Sequence, residues 1–139
     1  APSEPSRSLI SGAASAAFTS ALSRAITAGG TLAEELAIAG LILRHQAKAG
    51  ETQPEISGHY HPRLQITVRE RAIRRPCAVV SSDGQGRGRM ILPAFGALTG
   101  GMNAADPAIV KALQAAAAID AVLPSKGRLM QFPLWRAAA

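Results

Sequence analysis

Glu55-Ile56-Ser57-Gly58-His59-Tyr60-His61-Pro62 contains two of the three histidines in the chain, and the third, His45, lies a short distance upstream. Imidazole is the commonest side-chain ligand of transition metals, so a chain that gathers all its histidines in one window is first expected to hold a metal there. In a regular strand His59 and His61 would project from one face. Gly58 permits a backbone turn that a side chain would block, and Pro62 biases His61 toward an extended conformation. This combination sets two imidazoles at a kinked strand end, where each can address a different ion of a close pair. His45 would add a third nitrogen from a neighbouring strand end. The expected metal ligands are therefore His45, His59 and His61; the alternative for an isolated histidine is a surface or core role.

The flanking sequence supplies the scaffold. Leu36 to Leu43 is apolar apart from Gly40 and predicts a short buried strand with Arg44-His45 at its carboxyl end. A loop from Gln46 to Pro54 leads to a brief strand at Glu55-Ile56-Ser57. The histidines thus fall at strand-to-loop junctions, where α/β sheets bind ligands. Leu64, Ile66 and Val68 alternate with Gln65, Thr67 and Arg69, which predicts a half-buried strand. Ala72 to Val80 would return antiparallel after a turn at Arg69-Glu70-Arg71. Ser81 to Arg89 reads as a glycine-bearing loop, and Met90-Ile91-Leu92 as a strand stopped by Pro93. Asp106-Pro107 combines an N-cap acceptor with a ring that needs no N–H, predicting a helix to about Val122. Leu129 to Leu134 predicts a last short strand. There is no internal repeat.

Residues 1–30 have a different texture, rich in Ala and Ser. Ile10, Ala14, Phe18, Leu22 and Ile26 recur every four residues between a Ser8 cap and Gly29-Gly30, so the segment is either a helix or a leader, distinct from 31–139. The whole chain of 139 residues is one domain or part of one. Its net charge of +6 suits a polyanionic partner. The single Cys77 excludes an internal disulfide and a Cys-rich zinc finger and suits a reducing, cytoplasmic setting. No apolar run reaches the roughly 18 residues of a membrane span, so a soluble protein is expected.

Several further residues carry two readings. Arg63, Arg69, Arg71, Arg74 and Arg75 either contact substrate phosphates, with Arg63, Arg74 and Arg75 the leading candidates, or form a solvated hairpin face. Tyr60 either lines the pocket as a substrate contact or packs its ring. Phe95-Gly96 and Gly100-Gly101 form either a tight loop beside the site or a connector to the next helix. Glu34 and Glu35, adjacent and therefore divergent, are taken as solvated. Cys77 is taken as a buried strand thiol, since no histidine is left to activate it.

The order strand, His45, loop, Gly58-His59-Tyr60-His61 resembles the last two motifs of the calcineurin-like metallophosphoesterases, which end in Gly-His-x-His. Leu43-Arg44-His45, Ile56 to Pro62, Arg75-Pro76-Cys77 and Leu92-Pro93-Ala94-Phe95-Gly96-Ala97-Leu98-Thr99-Gly100-Gly101 resemble, more narrowly, the ligase-associated DNA damage response branch of bacterial phosphoesterases. The likeness covers roughly Thr31 to Asp106. It implies an α/β fold, the C-terminal half of an α/β/β/α metallophosphoesterase sandwich, with a mixed, largely antiparallel sheet and flanking helices. It also implies two divalent cations, typically Mn2+, with His45 and His59 on one and His61 on the other.

The family's earlier motifs, Asp-x-His, Gly-Asp with a bridging aspartate, and Gly-Asn-His-Asp with its general-acid histidine, do not occur here. Two close cations need a bridging anion, because neutral imidazoles do not screen their repulsion. The chain is therefore expected to be an incomplete C-terminal portion, with its own enzymatic competence left open and no catalytic residue assigned. The implied function is a metal-dependent phosphoesterase of the phosphodiesterase or DNA endonuclease type. Its partners would be a phosphodiester substrate such as DNA and DNA ligase- or helicase-associated repair proteins. The alternative is a noncatalytic basic module that binds nucleic acid or a repair partner through the arginine hairpin; a third reading is a truncated product without activity. A shortened sandwich is also expected to expose an apolar edge and to self-associate as a homo-oligomer.

Overall fold

Alternating apolar residues build most of this molecule. The computed structural model describes residues 33–96 and 100–138, and these form ten strands and one α-helix. The helix or leader expected over 1–30 lies outside the described residues. In chain order the elements are β1 (Glu35–Ile38), β2 (Leu41–Arg44), β3 (Glu55–Ser57), β4 (Pro62–Val68), β5 (Arg71–Pro76), β6 (Ala78–Ser82), β7 (Gly88–Ile91), β8 (Met102–Asn103), α1 (Pro107–Ala112), β9 (Ala118–Ser125) and β10 (Arg128–Arg136). The chain divides into two units, Ala1–Leu36 and Ala37–Ala139, and the second carries the features that follow.

Seven strands form one mixed sheet in the order β1-β2-β3-β7-β6-β9-β10, and three form a second in the order β5-β4-β8. In the larger sheet β3 runs parallel to both β2 and β7, whereas β6, β9 and β10 are antiparallel to their neighbours. The three parallel strands therefore end at the same edge, which positions the site. Both sheets contribute to one buried cluster: Leu64 of β4 meets Val79, Ile91, Ile119, Ala121 and Leu123 of the larger sheet and Ile109 and Leu113 of the helix. Each fully buried Leu, Ile or Val contributes about 1.5–3 kcal/mol relative to exposure. Among the described residues the result is a mainly β arrangement with one short helix, consistent with an α/β class at this coarse level.

The sequence expectations fail at five places, each for a physical reason. The Leu36–Leu43 run is not one buried strand but a hairpin: Ala39 and Gly40 both take positive φ (51° and 81°), the sign pattern of a two-residue hairpin turn. Leu36 and Ile38 are consequently exposed, and of the two strands only Ile42 is buried. The Ala72–Val80 run is likewise two strands. It leaves the small sheet at Pro76 and enters the large one at Ala78, with the Cys77 N–H donating to Pro62 O at 3.1 Å.

The Ser81–Arg89 loop shrinks to a turn between β6 and β7, where a Cβ on Gly88 would lie 2.6 Å from Ser81 O. Asp106 does cap α1, its Oδ1 accepting from Ala108 N–H at 2.8 Å, but the helix stops at Ala112 and not near Val122. Residues 118–125 instead form β9, which buries Ile119, Ala121 and Leu123 on one face. Helix propensity of Ala is worth tenths of a kilocalorie per residue, too little to oppose that burial. The final strand extends to Arg136 because its pairing with β9 resumes at Trp135 and Arg136 after an irregularity at Leu134.

Candidate metal centre

Parallel pairing of Ile42 with Glu55 and Leu43 with Ile56, and of Ser57 with Ile91, aligns the carboxyl ends of β2, β3 and β7. His45 leaves the first, Gly58–His61 the second and the Leu92–Gly96 segment the third. Backbone bonds tie these exits together: Gly58 N–H donates to His45 O at 2.8 Å and Leu92 N–H to Ser57 O at 2.8 Å. Sequence-distant histidines thereby become neighbours.

His45 Nε2 and His59 Nδ1 lie 3.1 Å apart, with ring planes inclined at 79°. Regular strand geometry, expected over 59–61, does not occur. His59 and His61 have φ of 74° and 50° and precede β4. A left-handed backbone costs a non-glycine residue roughly 1–2 kcal/mol, a strain found most often where side-chain direction serves function. Tyr60, between them, packs edge-on against the His59 ring, and its hydroxyl accepts a bond from Gln46 Nε2 at 3.2 Å.

The His61 ring turns its Nδ1 to the Gly100 carbonyl at 3.2 Å. A carbonyl can only accept, so Nδ1 is the donor in this bond and Nε2 is the nitrogen left to address a metal. The close approach depends on Gly101, where a Cβ would stand 2.6 Å from His61 O and 2.7 Å from Arg63 Nε. The expected tight loop is thus present at its Gly100-Gly101 end; residues 97–99 lie outside the described set.

Burial, followed by the His59 and then the His61 imidazole, holds His45 below the usual histidine range. Burial and then His61 do the same for His59. Both rings therefore favour the neutral form, which is the form that ligates metals. A metal–nitrogen bond of about 2.1 Å would put two nitrogens at right angles about 3 Å apart, a separation this pair matches; as they stand the two nitrogens share a hydrogen bond, one ring donating to the other. The described residues supply no complete site, since no three His, Cys, Asp or Glu side chains among them are placed to hold an ion.

Strand alternation separates the arginines. Arg63 pairs with Pro76 and Gln65 with Arg74, placing Arg63 and Arg74 on one face of the small sheet. Arg71 and Arg75 pair with Val68 and Leu64 on the other, and Arg75 donates to Pro124 O at 3.0 Å, tying the small sheet to β9. Arg69 sits in the turn with φ 50°. Cys77 is buried, its thiol pushed up to about 11, so it stays protonated at neutral pH.

Sequence reasoning missed the charges behind the histidines. Glu55 is fully buried between Arg44, at 3.1 Å, and Arg89, at 3.2 Å. A lone carboxylate in a three-residue strand was the available signal, and it gained meaning only with its partners in space.

No family model matches the chain, and no curated protein matches it. Among solved structures, the crystal structure of Pseudomonas putida nuclease MPE is similar at 28% identity and a TM-score of 0.45, covering 76% of this chain and 42% of that one. The chain therefore spans less than half the length of that nuclease.

Proposed function

We propose that this chain is part of a metal-dependent phosphoesterase that hydrolyses phosphodiesters such as DNA, and that it supplies the nitrogen ligands of a dimetal centre whose carboxylates come from outside this sequence. The observation that carries this reading is the 3.1 Å approach of His45 Nε2 to His59 Nδ1 in rings that favour neutrality. In the proposal His45 and His59 hold one cation, preferably Mn2+, and His61 addresses a second through Nε2. The layers would be those of an α/β/β/α sandwich, in a cytoplasmic repair setting with ligase- or helicase-associated partners.

The bound cations would supply Lewis acidity and a lowered pKa for attacking water. This chain's own side chains would orient and neutralise. Arg63, nearest Gly101 and His61, lies on the same sheet face as Arg74, and both guanidinium forks suit the nonbridging oxygens of a phosphodiester. Arg75, committed to Pro124 O, would act on the far side of the sheet as a tie. The exposed Leu129 and Met130 on edge strand β10 offer a surface for self-association.

Calorimetric titration with Mn2+ and Zn2+ tests the reading, together with hydrolysis of bis-p-nitrophenyl phosphate by the chain joined to its full-length context. Stoichiometric binding lost in both His45→Ala and His59→Ala, with chelator-sensitive turnover, is expected. Salt-dependent DNA binding that ignores chelator, with no cation bound, would favour the noncatalytic basic module instead.

A further inference from the structure

We propose that Glu55 is a positioning residue for the histidine pair, gripping the chain on both sides of His45; this deepens the metal-centre reading above and rests on it only for the binding measurement. The carboxylate sits in β3, two residues before Ser57, whose chain continues through Gly58 to His59. Its Oε2 is ion-paired with Arg44 NH1 at 3.1 Å, immediately before His45, and accepts from Lys48 N–H at 3.4 Å, just after it. One buried group thus fixes the approach and the departure of the His45 segment relative to the strand that leads to His59.

Arg89 completes the anchor from β7. Its NH1 reaches Glu55 Oε1 at 3.2 Å and Lys48 O at 2.7 Å, while NH2 donates to Ala112 O and Gln114 O, each at 3.0 Å. The loop after His45 is therefore held from below through Lys48 by both Glu55 and Arg89. Arg44 spreads the grip by bonding Glu51 Oε2 at 3.1 Å across the same loop. Burying three charges is costly, and packed apolar side chains commonly match such networks in stability, so stability alone does not account for the arrangement. What an apolar cluster would lack is attraction fixed at one place: Glu55 offers one oxygen to Arg44 and the other to Arg89, which draws the His45 segment toward the strand that leads to His59.

The test compares wild type with Glu55→Gln, and with the double variant Arg44→Met/Glu55→Gln, in which Arg89 keeps a side-chain oxygen partner and no Arg44 charge is left behind. In the metal-free protein, nuclear Overhauser contacts between the His45 and His59 rings are expected in wild type and lost in the variants. Zn2+ affinity, measured well below each variant's melting midpoint, is expected to fall about tenfold or more, as for other groups that orient ligands. The double variant keeps the proposal testable if Glu55→Gln alone fails to fold. A lowered melting midpoint with intact ring contacts and unchanged Zn2+ affinity would overturn it. Were wild type to bind no cation, the metal-centre reading would fail, and the ring contacts by themselves would still decide the role of Glu55.

Discussion

The end of the large sheet formed by β2, β3 and β7 differs in construction from the β9–β10 side of the same sheet. At the first, a carboxylate and two guanidiniums are buried together and two consecutive alternate residues, His59 and His61, depart from extended geometry. At the second, β9 and β10 keep pairing over most of their length, Ile119, Ala121 and Leu123 face the core, and the buried Asp120 carboxylate is held by the half-exposed Arg136 at 2.7 Å and by Gln131 at 2.7 Å. Both belong to one sheet and share one core. A network of three buried charges stands behind the histidines, whereas on the β9–β10 side one buried carboxylate is enough and apolar alternation supplies the rest of the packing.

Substitutions can sharpen or break that contrast. The largest effect is expected for Glu55→Ala, which strands two buried guanidiniums and should cost about 3–5 kcal/mol by denaturant unfolding. A cost under 1 kcal/mol would mean that the two sides are built alike. Gly101→Ala is expected to cost about 1–3 kcal/mol by overpacking against His61 O and Arg63, and to release the His61 ring from Gly100, visible in imidazole nitrogen shifts.

His59→Gly should go the other way, relieving about 1 kcal/mol of backbone strain while removing cation binding; a destabilised variant would place the strain elsewhere. Acidification should act on the histidine side alone. Because the folded pKa values of His45 and His59 lie below the unfolded value, their contribution is complete above about pH 6.5 and declines as pH falls through that value toward the folded ones. Melting midpoints from pH 7.5 to pH 5 should drop more for wild type than for a His45→Gln/His59→Gln variant. The smallest effect is expected on the far side, where Arg136→Ala should cost about 1 kcal/mol, because the partner lost is half exposed and Gln131 still holds the Asp120 carboxylate.

Local chemistry was legible without coordinates wherever one residue type permits few conformations. Asp106-Pro107 marks a helix start because a short acceptor and a missing N–H fit only that position, and the structure forms the cap. The alternation from Leu64 to Val68 marks a strand with one wet face, and the lone Cys77 in an apolar stretch marks a buried thiol. The histidine window also stands out in the sequence, although the strand geometry expected within it is replaced by two left-handed residues.

Tertiary contacts decided the rest, because those choices turn on energies that no local window contains. The Ala-rich run after Ala112 has helical propensity, yet pairing with β6 and β10 buries its alternate residues and makes it β9. The arginines after the histidines form one cluster in sequence and two in space, since adjacent strand residues face opposite ways. Glu55 shows the limit most sharply: one acidic residue in a short strand means little until parallel pairing brings Arg89 beside it and Arg44 across from it. Residue chemistry sets what each segment can do locally, and long-range pairing sets which side chains meet.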